Sequence, residues 1–506
     1  MYIGRMESRK PAGPGSEKLL WGIVLGVVTF WLFAGTTGTI APAILGDLNG
    51  PLPAGAKAWT RPVLDPVFMN LAVSVTALFS GIFIVLMGGL ADRVGRVRIA
   101  LVGNGLGMLG SLMIVCASGS LALPLLLGGR AVQGLSAACI MPSTMALVKA
   151  YWDGKGRQRA VSMWSIGSWG GSGLASIFGG YMATLVGWRS IFVISIVISA
   201  ISFLMIRGTP ESRVQSPGGT RTFDLAGVLA FLVAMVSLMV VLIFGGRMGW
   251  TRPLTLALGG TAILALAVFT RIEQRAPQAF VDFRLFRNMT FTGATLSNFL
   301  LNGTIGLLIV SQQLLQLGGN LKASEAGLLT LGYAVTIIAF IRLGEKLLQR
   351  FGPRRPMIWG SLIVGAACIL LLPTNIMLFE YKYLAMAAYA LFGVGLAFYA
   401  TPSTDAALAS LPPDQAGSGA GIYKMASSLG SAIGAAISLA IFTALSGSRE
   451  SAALVGQLLE MQGRQDNTAL RAAAFVALLF NLVMVVVAVG SIMLTVPGEK
   501  KPVDGH

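Results

Sequence analysis

Three ionisable side chains, Arg130, Asp405 and Lys424, interrupt long stretches that otherwise carry no charge. Arg130 falls about nine residues into an apolar run and is followed by Gln133 and Gly134. An arginine at that depth of a membrane costs at least ~2.5–3.5 kcal/mol, so it should face a wet cavity or a partner. Asp405 comes three residues after Pro402, and Lys424 lies on the next apolar run. Ionisable groups at depth mark proton or ion pathways, which makes Asp405, Arg130 and Lys424 the candidates for proton coupling. The alternatives for Asp405 are a static ion pair with Lys424 or a solvated carboxylate at a helix end. Trp31, Phe33, Asn70, Gln133, Trp164, Trp169, Asn298, Asn302 and Tyr399 are the aromatic and amide groups expected to line a pocket for a small organic molecule. The only histidine is the last residue, His506, which removes a histidine-based metal site or triad. No metal site is expected.

These residues are carried on a chain of 506 residues, 55% apolar and 11% charged. A soluble domain has about 25% charged residues, so a soluble enzyme is excluded. The net charge of +17 suits short cytoplasmic loops rich in Lys and Arg and is not read as a nucleic-acid surface. A window of about 19 residues gives fourteen spans, near 20–45, 68–90, 97–117, 121–147, 160–183, 189–206, 224–244, 253–271, 291–315, 325–345, 356–374, 383–409, 418–445 and 470–495. Alternate loops hold the basic clusters (Arg93, Arg96 and Arg98; Arg342, Lys346 and Arg350), which predicts both termini in the cytoplasm.

The chain repeats itself. LSAACIMPSTMALV from Leu135 and GLAFYATPSTDAAL from Gly395 align Pro142-Ser143-Thr144 with Pro402-Ser403-Thr404, an offset of 260 that also pairs Ala160 with Ala420 and Gly170 with Gly430. Duplicated halves around a central site are a transporter pattern. We expect an all-α membrane protein of two six-helix bundles plus two inserted helices. Residues 1–19 form a cytoplasmic N-terminus, 20–206 the first bundle, 207–288 a linker with the inserted helices, 289–495 the second bundle and 496–506 a cytoplasmic tail.

Two glycine-bearing motifs carry the next step. Gly88-Gly89-Leu90-Ala91-Asp92-Arg93-Val94-Gly95-Arg96 joins the second and third spans, with Asp92 expected at the N-terminal end of the next helix, where a carboxylate is favoured. Gly167 and Gly171 share a face of the fifth span, ahead of Gly179 and Gly180, and let neighbouring backbones touch. The loop resembles the GxLADrxGrk signature of the major facilitator superfamily, departing only at Val97. The resemblance implies a conformational latch at Gly88, Asp92, Arg93, Gly95 and Arg96, and associates Arg130 and its Gln-Gly with proton coupling. The fifth span is similar to the antiporter motif of that superfamily, but Ala175-Ser176 replaces its Gly-Pro, so the proline bend is missing.

Fourteen spans, Phe223-Asp224-Leu225-Ala226-Gly227 and Leu285-Phe286-Arg287-Asn288 look like the QacA-like drug:proton antiporters. Segments such as Trp164-Ser165-Ile166-Gly167-Ser168-Trp169-Gly170-Gly171 and Ala420-Gly421-Ile422-Tyr423-Lys424-Met425 are similar to the Nor-type quinolone exporters of Gram-positive bacteria. The resemblance implies efflux of amphipathic cationic or zwitterionic drugs by a monomer in the bacterial cell membrane. No cofactor is implied, the proton gradient being the energy source. An uptake symporter or a lipid transporter on the same fold is the alternative. No Gly-x-x-x-x-Gly-Lys-[Ser/Thr] loop is present for a nucleotide-driven pump.

Overall fold

The computed structural model describes residues 15–50, 66–152, 154–212, 224–276, 281–321, 323–412, 416–446, 455, 457, 460–463 and 465–498. Helices dominate because a backbone in lipid must satisfy its own hydrogen bonds. In chain order they are α1 (Glu17–Asn49), α2 (Pro66–Val94), α3 (Arg96–Val115), α4 (Ala122–Tyr151), α5 (Gly154–Ser165), α6 (Gly171–Leu185), α7 (Arg189–Ile206), α8 (Leu225–Met248) and α9 (Pro253–Arg275). They continue with α10 (Met289–Gly303), α11 (Gly306–Gln313), α12 (Ala323–Leu329), α13 (Leu331–Phe351), α14 (Arg354–Leu371), α15 (Leu378–Ala409), α16 (Ala416–Leu445) and α17 (Thr468–Thr495). Among the described residues, eleven helices are long and apolar enough to cross a membrane. Together with α1, α2 and the α5–α6 rod they follow the expected order of spans.

Helix starts are set by local capping. Ser16 Oγ accepts from the Leu19 amide at 3.2 Å, Asp224 Oδ1 from Gly227 at 2.8 Å and Asn288 Oδ1 from Phe291 at 3.1 Å. The repeated Pro-Ser-Thr tripeptide lies inside α4 and α15. Proline deprives the preceding turn of an amide donor, and hydroxyls just after it supply donors to that region. Ser143 donates to Cys139 O at 2.5 Å, Thr144 to Ile140 O at 2.6 Å and Thr404 to Ala400 O at 2.9 Å.

Helices α1 to α7 pack among themselves, chiefly α2 and α3 on α4 and α1 and α3 on α7. Helices α10 to α17 do the same, with α13 and α14 on α15 and α10 on α16 and α17. In each group the third and fourth rods touch backbone to backbone. A Cβ on Gly110 would lie 2.8 Å from Gly129 O, and one on Gly360 would lie 2.5 Å from Gly395 O. The two groups meet along α2 with α16 and along α5 and α6 with α13, while the α8–α9 hairpin leans on α2 and α16.

The missing proline bend of the fifth span has a substitute. Between α5 and α6 the rod makes a π-helical turn, Ile166–Gly170, the kind of distortion that recurs at functional sites. A glycine within it and another beyond it approach α1: a Cβ on Gly167 would sit 3.3 Å from Val27, and one on Gly179 would sit 2.7 Å from Thr36. Gly171 is buried and Gly180 half-buried.

Candidate functional site: a seam between two bundles

Arg130 is fully buried and held by protein groups inside the first bundle. Its Nε donates to Ala72 O on α2 at 2.9 Å, and its Nη1 donates to Gln133 Oε1 at 3.0 Å. Gln133 passes the connection on, donating through Nε2 to Ser111 Oγ on α3 at 3.2 Å, and Ser111 lies 3.4 Å from Ser195 Oγ on α7. Thr76 Oγ1 donates to Arg130 O at 2.9 Å. One arginine therefore organises a polar chain through α2, α4, α3 and α7. Gln133, expected at a drug pocket, is buried as a link in that chain.

The second bundle holds a chain of hydroxyls. Tyr399 OH lies 2.7 Å from Ser297 Oγ and accepts from Ser403 Oγ at 2.8 Å; Tyr423 OH donates to Ser403 Oγ at 2.8 Å. Thr404 Oγ1, whose proton goes to Ala400 O, lies 3.4 Å from Tyr423 OH. Asn302 Nδ2 donates to Asn298 Oδ1 at 2.9 Å, and Asn298 Nδ2 donates to Tyr423 O at 2.9 Å. Asn298 and Tyr399 are fully buried and Asn302 is half-buried, so these three candidates join α10, α15 and α16 in one network.

Lys424 and Trp164 bring the bundles together. Lys424, on α16, is 9% exposed, and Trp164, on α5, is 1% exposed. The Lys424 Nζ stands 4.5 Å from the centroid of the Trp164 ring. Trp164 Nε1 donates to Thr144 Oγ1 on α4 at 3.0 Å, which fixes the plane of the ring.

Asp405 differs in burial from the expected carboxylate at depth. It is exposed near the C-terminal end of α15, on the face that also exposes Ala409. The reason is helical phase: the buried face of that turn belongs to Ser403, Thr404, Ala406 and Ala407.

The loop between α2 and α3 corrects a second expectation. Asp92 falls in the last turn of α2, and the N-cap of α3 is Gly95, with no side-chain cap of its own. The carboxylate at that helix start is Glu211, from beyond α7. Its Oε1 accepts from the Val97 amide at 2.9 Å and its Oε2 from the Arg98 amide at 3.2 Å. Arg96 joins in, its amide donating to Ser212 O at 3.0 Å and its Nη1 to Ser212 Oγ at 3.3 Å. Gly95 has φ +132°, and a Cβ there would lie 2.3 Å from the Glu211 carboxyl carbon. Gly88 is buried against Pro142 of α4. The side chains of Trp31, Phe33, Asn70, Asp92, Arg93 and Trp169 lie outside the described residues.

Two arginines that read as ordinary loop charges have matching jobs at the other end. Arg189 at the start of α7 donates to Val115 O at 3.2 Å and Ala117 O at 2.9 Å, the carbonyls closing α3. It also stacks 4.3 Å over Trp188 and pairs with Asp47. Arg189 beside Asp47 holds that carboxyl below the usual carboxylate range. Arg471 near the start of α17 donates to Thr374 O at 2.6 Å, Ile376 O at 2.6 Å and Gln462 O at 2.7 Å, closing the end of α14. Their common place at the start of the sixth rod of each half was the signal available in the repeat.

The family model of the Major Facilitator Superfamily matches residues 23–435 and 289–505. The chain is 42% identical over 493 residues to "Quinolone resistance protein NorB" of Staphylococcus aureus (strain COL), covering 97% of this chain and 98% of that protein. It is 45% identical over 435 residues to the protein of the same name in strain MRSA252, covering 85% and 89%. Among solved structures, "Crystal structure of auto inhibited POT family peptide transporter" shares the fold, with a TM-score of 0.60, 16% identity and coverage of 97% of this chain and 99% of that one. The chain, a multi-pass membrane transporter and not an enzyme, belongs to the major facilitator superfamily.

Proposed function

We propose that this transporter is a proton-driven exporter of amphipathic drugs that alternates its access between the two faces of a bacterial cell membrane. The observation that carries the reading is the end-to-end likeness to quinolone resistance proteins, 42% identity over 97% of the chain. The geometry supports it with ionisable groups kept inside a lipid-facing protein: Arg130 within the first bundle and Lys424 at the seam. Bundles 20–206 and 289–495 tilt against each other, carrying the inserted helices of 207–288 alongside. Drug enters between them, against Trp31, Phe33, Asn70, Trp164, Trp169 and the Asn298, Asn302 and Tyr399 network. Asp405 exchanges a proton with water at its exposed position, and the fields of Arg130 and Lys424 bias which facing state keeps it. The protein works as a monomer with both termini in the cytoplasm, and protons and drug are its only cargo.

The test is dye accumulation into energised inverted vesicles, the direction that corresponds to export from the cell, with and without an uncoupler, for wild type and Asp405→Asn. Dye movement against its gradient that collapses with uncoupler and in Asp405→Asn is expected. Unchanged gradient-driven transport in Asp405→Asn overturns the carrier assignment, and accumulation in the uptake direction overturns export.

A further inference from the structure

Trp164 and Lys424 stand at the same place in the two halves of the chain. The offset of 260 that superimposes the Pro-Ser-Thr tripeptides carries position 164 onto 424, and the two side chains meet across the seam at 4.5 Å. One half of the duplication kept an aromatic face and the other a cation. The ring is anchored at its edge by the hydrogen bond from Nε1 to Thr144, so its face stays presented to the seam when the cation leaves.

We propose that the face of Trp164 is the subsite for the organic ammonium group of a substrate, and that Lys424 is its tethered resident. The proposal rests on the transporter reading above and names the ligand chemistry. A primary ammonium is a compact, strongly hydrated charge, and taking such a charge out of water costs more than taking out a bulkier, weakly hydrated one. A substituted ammonium on an aromatic drug is bulkier and less hydrated, and an aromatic face is what recognises such ions. It therefore displaces the lysine at lower desolvation cost, whereas a neutral molecule of the same shape has nothing to offer the ring. Because the two side chains come from opposite bundles, the exchange parts the seam: the displaced Lys424 takes its charge to water as the cleft opens. Selection for cations and opening of the cleft are then one event.

The test uses the full chain in lipid nanodiscs, with benzyltrimethylammonium and its neutral carbon isostere neopentylbenzene as probes. A water-soluble acetylating reagent, followed by mass spectrometry, reads how far Lys424 is displaced. Labelling of Lys424 is expected to rise several-fold with the cation and not with the isostere. In Lys424→Met the cation should bind about three- to thirtyfold more tightly, the range of one aromatic–cation contact, with the isostere unchanged. Trp164→Phe should keep part of the cation preference and Trp164→Leu none; the phenylalanine variant decides the matter if the leucine variant does not fold. Labelling unmoved by the cation, an equal rise with the isostere, or an unchanged cation preference in Lys424→Met overturns the proposal. Gradient-driven efflux of the same cation is measured on the wild-type chain. Displacement without efflux refutes the exporter reading alone, and efflux without displacement refutes this one alone.

Discussion

Replacing Gly95 by alanine tests the loop between α2 and α3. Gly95 sits at φ +132° and ψ +132°, a region essentially closed to residues with a Cβ, and forcing one there costs about 1–3 kcal/mol. The new methyl also lies 2.3 Å from the Glu211 carboxyl carbon, so the carboxylate must leave the start of α3. Loss of a helix N-cap is worth about 0.5–2 kcal/mol. Glu211 is exposed and its charge is screened by solvent, so the lower end, about 0.5 kcal/mol, applies. Together these give about 1.5–3.5 kcal/mol. If the loop is intact in only one facing state, the facing equilibrium shifts by about ten- to three-hundredfold. The assay is a double-mutant cycle on Gly95→Ala and Glu211→Ala, read by thermal denaturation of the purified protein and by efflux rate in parallel. Removing Glu211 first eliminates the collision but not the backbone strain, so Gly95→Ala should cost less in that background than in wild type. Equal costs in both backgrounds, or a silent Gly95→Ala, would refute the account of this loop.

Arg130→Lys should lose efflux and lower the denaturation midpoint, because a single ammonium cannot reproduce the planar fork that reaches both Ala72 and Gln133; normal efflux by this variant would show the charge alone suffices. Tyr399→Phe removes the hydroxyl joining Ser297 and Ser403, a loss of about 0.5–1.5 kcal/mol per hydrogen bond because Ser297 keeps Ala294 O and Ser403 keeps Tyr423 as partners, visible as a lower midpoint for a folded protein. Asp47, beyond the apolar run 20–45, has its carboxyl held below the usual range by Arg189. Its contribution is complete above the unfolded value of about 3.9 and is lost as pH falls through the lower folded value. Acid scans of Asp47→Asn should therefore lack a destabilisation that wild type shows below about pH 4.

What could be read from the sequence and what could not divides along chain distance. The Pro-Ser-Thr repeat, the depth of Arg130 and the glycine face of the fifth span are local patterns, and burial and close packing follow from them. The partnership of Glu211 with Val97 joins segments 114 residues apart, and no period or motif in either segment points to the other. Asp92 looked like the capping acid because it was the carboxylate nearest in sequence, while tertiary packing brought a different one. Arg189 and Arg471 are single charges in loops of the sequence, and the carbonyls they close at the ends of α3 and α14 are set by tertiary packing. The meeting of Lys424 with Trp164 was within reach, since the repeat offset pairs them, but pairing in register says nothing about contact until the halves are docked.

The π-helical turn at Ile166–Gly170 gives the fifth rod a property that a proline bend lacks. An α-helix advances about 100° of azimuth per residue, so the extra residue held in a wide turn sets α5 and α6 out of phase by about that angle. Tightening the turn to ordinary α geometry would twist one half of the rod against the other about its own axis. Trp164, on one side of the turn, could then swing relative to Gly179, which stays docked on Thr36 of α1. Torsion within a single helix would thus accompany the tilting of whole bundles, giving the seam a second degree of freedom.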